Sequence, residues 1–134
     1  IATGPVVVGN LTVLSHLIGS RHMPNMQGAI LVLEDIGESP YRIDRMLTHL
    51  RLAGVLQKLS GIAFGNFNKC DDDEDIPMDQ KFTAEEVLRE RSKDLNIPVL
   101  AKLPIGHCCG NAAIPLGHKA ILNGNKSRLS LVVD

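Results

Sequence analysis

Apolar positions along this chain follow two patterns. Ala29-Ile30-Leu31-Val32-Leu33 run on without a polar break and predict a strand covered on both faces. Ile43, Met46, Leu47, Leu50 and Ala53 recur at helical spacing, with Gly54 as the stop and Ser39-Pro40 as a capping residue and first-turn proline. Smaller signals fill the spaces between. Pro5 to Val8 reads as a short strand. Asn10 suits the N-cap of a helix carrying Leu11, Leu14, Leu17 and Ile18 on one face, closed by Gly19. Gly61 to Phe67 reads as a third strand whose glycines suggest a bulge or a close backbone approach. Thr83 and Glu86 have the spacing of a capping box for a helix through Val87, Leu88 and Arg91, ending near Leu95-Asn96 ahead of Pro98. Val99 to Leu103 predicts a fourth strand. His118 to Leu122 and Arg128 to Val133 flank Asn123-Gly124 as an antiparallel pair. Strands alternating with helices predict an α/β domain, with no repeat and no internal linker.

Composition narrows the function classes. A chain of 134 residues, 44% hydrophobic and 22% charged, fits one globular domain. A formal charge of -1 supplies no basic field for nucleic acid or an anionic membrane, and the scarcity of aromatics (Tyr41, Phe64, Phe67, Phe82) weakens any base-stacking platform. No apolar stretch approaches the roughly 20 residues needed to span a bilayer. Cys70, Cys108 and Cys109 form no disulfide framework, so a reducing cytoplasm is the expected setting. The opening Ile1-Ala2-Thr3-Gly4 has neither an initiator Met nor a basic leader, which suggests a processed chain or an excised domain, and we expect the second because the candidate site described next is incomplete.

Candidate chemistry concentrates at two strand ends. The run ending at Leu33 is followed by Glu34 and Asp35, and the run Ile97 to Leu103 leads into Pro104-Ile105-Gly106-His107. A carboxylate and an imidazole so placed can serve as the orienter and base of a hydrolytic triad. For Asp35 the expectation is helix capping or pairing with Arg42 or Arg45. None of the serines (Ser15, Ser20, Ser39, Ser60, Ser92, Ser127, Ser130) lies in a Gly-x-Ser-x-Gly elbow, so a serine nucleophile is expected outside this chain.

Other sites fare worse. Asp71, Asp73 and Asp75 match the first EF-hand positions, but Ile76 stands where Gly is needed and Phe82 where a bidentate Glu belongs. The acidic stretch 71–75 therefore reads as a solvated loop. His107-Cys108-Cys109 with Cys70 lacks the spaced ligand pairs of a zinc site, so no metal is expected. Gly4 and Gly9 do not form a dinucleotide fingerprint, and no cofactor is expected. A cysteine hydrolase using Cys108 or Cys109 ranks below serine chemistry, because adjacent residues seldom present a nucleophile to a neighbouring base. A non-catalytic binding or assembly module is the alternative from another class.

Gly9-Asn10-Leu11, Gly28 through Glu38, Pro40-Tyr41-Arg42-Ile43-Asp44-Arg45-Met46-Leu47, Gly61-Ile62 with Gly65-Asn66-Phe67, and Ile97 through His107 together resemble the LD-carboxypeptidase family of serine peptidases. The likeness covers nearly the whole chain and is to the family's C-terminal domain, so residues 1–134 are read as that domain. Val8 departs from it, standing where a second glycine commonly precedes Gly-Asn-Leu.

The resemblance implies a swivelling β/β/α-type fold of about six strands and three helices. It implies Glu34 as the triad carboxylate, His107 as the general base and Asn10 as a substrate contact. A separate N-terminal domain would supply the serine and oxyanion donors, and the full-length protein would be a homodimer. The implied activity is removal of terminal D-alanine from murein tetrapeptides in cytoplasmic wall recycling. A related branch cleaves microcin-type peptidyl nucleotides. On this reading the chain alone is inactive.

Overall fold

A computed structural model describes residues 1–132. In chain order the elements are β1 (Ala2–Asn10), α1 (Leu11–Ser15), β2 (Ile30–Ile36), α2 (Pro40–Leu52), a 3-10 turn (Leu56–Lys58), β3 (Gly61–Asn68), α3 (Ala84–Ser92), β4 (Val99–Leu100), β5 (Lys119–Asn123) and β6 (Arg128–Leu131). They form one six-stranded mixed sheet in the order β4-β3-β2-β1-β5-β6. From β1 to β4 the strands are parallel, and β5 and β6 run antiparallel. β1 serves both regimes. Its residues Ala2 to Pro5 pair with β5, and Val6 to Asn10 pair with β2.

Side chains on β2 explain the unbroken apolar run. Leu31 and Leu33 join Ile62, Phe64, Leu11, Ile43, Leu47 and Leu88 in a core between sheet and helices. Ile30 and Val32 point the other way, into a second core with Ala2, Val6, Ala63, Leu100, Ile105 and Leu122. The second core exists because the sheet curls on itself. A β-carbon on Gly61 would lie 2.8 Å from Leu122 Cδ2, and one on Gly124, at the hairpin tip, 3.6 Å from the carbonyl oxygen of Val99. The four residues from Ile30 to Leu33 are fully buried, so neither face needs a polar position.

Several element boundaries shift from the expected ones. β1 begins at Ala2, because pairing with β5 recruits residues ahead of Pro5. α1 ends at Ser15, and Leu17 and Ile18 pack on the core from the turns that follow. Ser39 makes no side-chain capping bond. Its carbonyl accepts from the Arg42 and Ile43 N–H groups, while Pro40 contributes no N–H to be satisfied. The capping box at Thr83 and Glu86 is present, but α3 stops at Ser92. β4 stops at Leu100, because Lys102 adopts φ 62° and turns the chain out of the ladder. The expected final strand reached Val133, which lies outside the described residues.

β3 is irregular at the place that matters. Leu33 pairs with Phe64, but Asp35 pairs with Phe67, so β3 carries one extra residue opposite Glu34. Both alternatives raised by its glycines hold, since a β-carbon on Gly65 would also lie 2.6 Å from the Ile105 carbonyl oxygen.

Candidate active site

Parallel strands bring their C-terminal ends to one rim, and the candidate residues gather there. The register places Asn10 directly beside Glu34. After β4 the chain stays tethered to β3, with Leu103 N–H donating to Phe64 O (3.0 Å) and Asn66 N–H to Ile105 O (2.8 Å). These bonds carry His107 back over β2. His107 Nδ1 and Glu34 Oε2 lie 2.8 Å apart, although the residues are 73 positions apart in sequence. Glu34 is buried, at 8% exposure, whereas the His107 side chain is 53% exposed. An ionised carboxylate only accepts, so the ring donates from Nδ1 and a neutral imidazole keeps Nε2 free to take a proton.

Gly106 makes this approach possible. Its φ is +106°, and a β-carbon there would lie 2.6 Å from Glu34 Oε2. Two asparagines hold the backbone around it. Asn68 Nδ2 donates to the His107 carbonyl, and Asn111 Oδ1 accepts from Gly106 N–H at 3.0 Å. Sequence reading missed both, because each acts through main-chain atoms of a loop and carries no motif.

Glu34 has a second partner. Asn10 Nδ2 donates to Glu34 Oε1 (3.1 Å) and to Asp35 Oδ1 (3.0 Å), while Asn10 Oδ1 caps α1 by accepting from Val13 N–H (3.0 Å). The expected cap is present, and the same side chain bridges two carboxylates. Asp35 caps α1 as well, since its Oδ2 accepts from Thr12 N–H (2.9 Å) and Thr12 Oγ1 (2.8 Å). Of the two roles expected for Asp35, capping is the one found. Arg42 pairs with Glu38 instead.

A shallow pocket of about 360 Å³ opens at the rim, bordered by Val8, Asn10, Glu34, Ile105, His107 and Asn111. Cys108 and Cys109 border a different cleft of about 1050 Å³, between α3 and the segment following β4. Cys70 is buried, and burial pushes its thiol up from the ordinary value. Among the described residues, no hydroxyl or thiol is hydrogen-bonded to His107, and no three His, Cys, Asp or Glu side chains are placed to hold a metal ion. An oriented imidazole beside a buried carboxylate can accept a proton from an approaching nucleophile and return it to a leaving group.

Comparison with known proteins identifies the family. The model of the LD-carboxypeptidase C-terminal domain matches residues 3–122. A Synechocystis protein provisionally named a carboxypeptidase is 47% identical over 131 residues, covering 98% of this chain and 42% of that protein. The murein tetrapeptide carboxypeptidase of Pseudomonas aeruginosa is 35% identical over 128 residues, covering 93% of this chain and 39% of its own length. Among solved structures, muramoyltetrapeptide carboxypeptidase from Oxalobacter formigenes superposes with a TM-score of 0.84 at 34% identity, over 97% of this chain and 44% of that one. The microcin C7 self-immunity protein MccF, in complex with glutamyl sulfamoyl guanosine, gives 0.85 at 30% identity, over 99% of this chain and 38% of that one. The chain thus spans about two-fifths of the length of the curated relatives it matches. It belongs to the LD-carboxypeptidase family and corresponds to that family's C-terminal domain.

Proposed function

We propose that this domain supplies the carboxylate and general base of a Ser-Glu-His triad that hydrolyses the amide before a terminal D-alanine in murein tetrapeptides. The observation that carries the reading is the 2.8 Å contact between Glu34 Oε2 and His107 Nδ1. His107 Nε2 takes the proton of a serine supplied by a preceding domain, the serine oxygen attacks the carbonyl carbon, and the imidazolium then protonates the departing amine. Glu34 holds the tautomer and stabilises the imidazolium. The oxyanion donors come from the same preceding domain. Asn10 borders the pocket, so substrate bound there lies against this residue.

A second substrate, a microcin-type peptidyl nucleotide, is favoured by the equally close superposition on MccF, and the same pair of residues would serve it.

The test is D-alanine release from an L,D-tetrapeptide by the two-domain protein and by the 134-residue chain. The two-domain protein should turn over and the chain alone should not. Glu34→Gln and His107→Ala should each lower kcat by about 10³-fold or more. Full activity in either variant would overturn the triad, and turnover of only a peptidyl nucleotide would select the second substrate.

A further inference from the structure

Beside Glu34, Asp35 is the other buried carboxylate among the described residues, at 3% exposure, and the proposed hydrolysis gives it no task. It is nevertheless the most heavily bonded side chain at the rim. Thr12 N–H and Oγ1 donate to Oδ2, while Ile36 N–H (2.8 Å) and Asn10 Nδ2 donate to Oδ1. Three of these four donors belong to the first turn of α1 or to β2 itself, so the carboxylate is immobilised from two elements.

The fourth donor is shared with Glu34. Asn10 Nδ2 carries two protons, and each adjacent carboxylate takes one. An ionised carboxylate has no proton to offer, so Asp35 rejects the flipped amide, whose oxygen would face two anions. Val13 N–H rejects it from the other side. With the amide locked, Asn10 binds Glu34 Oε1 and leaves Oε2 for His107.

We infer that Asp35 is a positioning residue: anchored to the start of α1, it fixes the Asn10 amide, which fixes the Glu34 carboxylate against His107. The inference rests on the reading of Glu34 and His107 as a functional pair. Asp35→Asn keeps the shape of the side chain but removes the charge, so one of the restraints on the Asn10 amide weakens and its bond to Glu34 loosens.

Nitrogen-15 NMR of the 134-residue chain tests this by reading the His107 ring directly. The wild-type ring should show a slowly exchanging Nδ1–H and a single tautomer. Asp35→Asn should abolish the Nδ1–H signal and mix the tautomers while the rest of the spectrum stays dispersed. In the two-domain protein kcat should fall about 10- to 100-fold, as loss of an outer hydrogen-bond partner commonly does. If Asp35 only caps α1, the variant will melt at lower temperature with the ring signal and kcat intact, and the inference is wrong. Thr12→Val removes one donor to Asp35 and keeps the charge, so it should weaken the ring signal less. Should Asp35→Asn fail to fold, an unchanged ring signal in Thr12→Val overturns the inference. The NMR result needs no activity, so failure of the proposed hydrolysis and failure of this inference are distinguishable.

Discussion

Glu34 occupies the space that a side chain on Gly106 would need: a β-carbon there would meet Oε2 at 2.6 Å and the Glu34 Cβ at 2.8 Å. The glycine before His107 therefore does more than turn the chain. Gly106→Ala must push Glu34 or the loop aside and also hold an alanine at φ +106°. In the two-domain protein its activity should fall about 100-fold or more, as misplacement of a reacting group by about 1 Å commonly does. Activity within severalfold of wild type would show that the loop yields without disturbing the pair.

Asn68 holds the far side of the same loop through the His107 carbonyl. Asn68→Asp keeps the shape and removes the donor. It should cost about 1 kcal/mol in denaturant unfolding, the typical value of one hydrogen bond, and lower activity by freeing the His107 backbone. Unchanged stability together with unchanged turnover would show that the bond contributes nothing.

The three thiols should separate by accessibility. Cys109 is exposed and Cys70 buried, so a thiol reagent should label Cys109 in the native protein and Cys70 only after unfolding. Burial, reinforced by the nearby charge of Asp35, raises the Cys70 thiol above its unfolded value, so the fold favours the protonated form. Its stabilising contribution is complete below the unfolded thiol's range and is lost as pH rises through that range towards the raised folded value. Cys70→Ala should therefore flatten the alkaline fall of stability measured by urea titration. An identical alkaline limb in both proteins would contradict the assignment.

Leu31 is fully buried on the helix side of β2. Leu31→Ala should cost about 2–5 kcal/mol. Chemical denaturation measures this directly, and a cost below about 1 kcal/mol would mean that the core closes over the cavity.

Much of the fold was legible because the helix and strand patterns agree with local chemistry. The continuous run at β2 is itself the mark of a strand buried on both faces, while the stripe of α2 and the helix behind the Thr83–Glu86 box combine helical spacing with a stop or a cap. Boundaries moved where tertiary contacts overruled local signals. β1 lengthened because β5 pairs with its first residues, and β4 shortened because Lys102 turns away. At the candidate site, Glu34 and His107 stood out as polar ends of apolar runs. Asn111 and Asn68 did not, because an amide binding a loop backbone leaves no spacing to read. Asp35 was legible as a capping residue, but its bridge to Glu34 depends on the register of Asn10 and on one shared amide group.

The curl of the sheet also bears on how other chains can meet this domain. Its two outermost strands are two and four residues long, and the β5–β6 hairpin folds back until Gly124 reaches Val99. Short edges give an incoming strand little ladder to extend, a common safeguard against sheet-to-sheet aggregation. A partner domain therefore finds little strand edge to extend here, and the rim bearing His107 offers it loops and side chains instead.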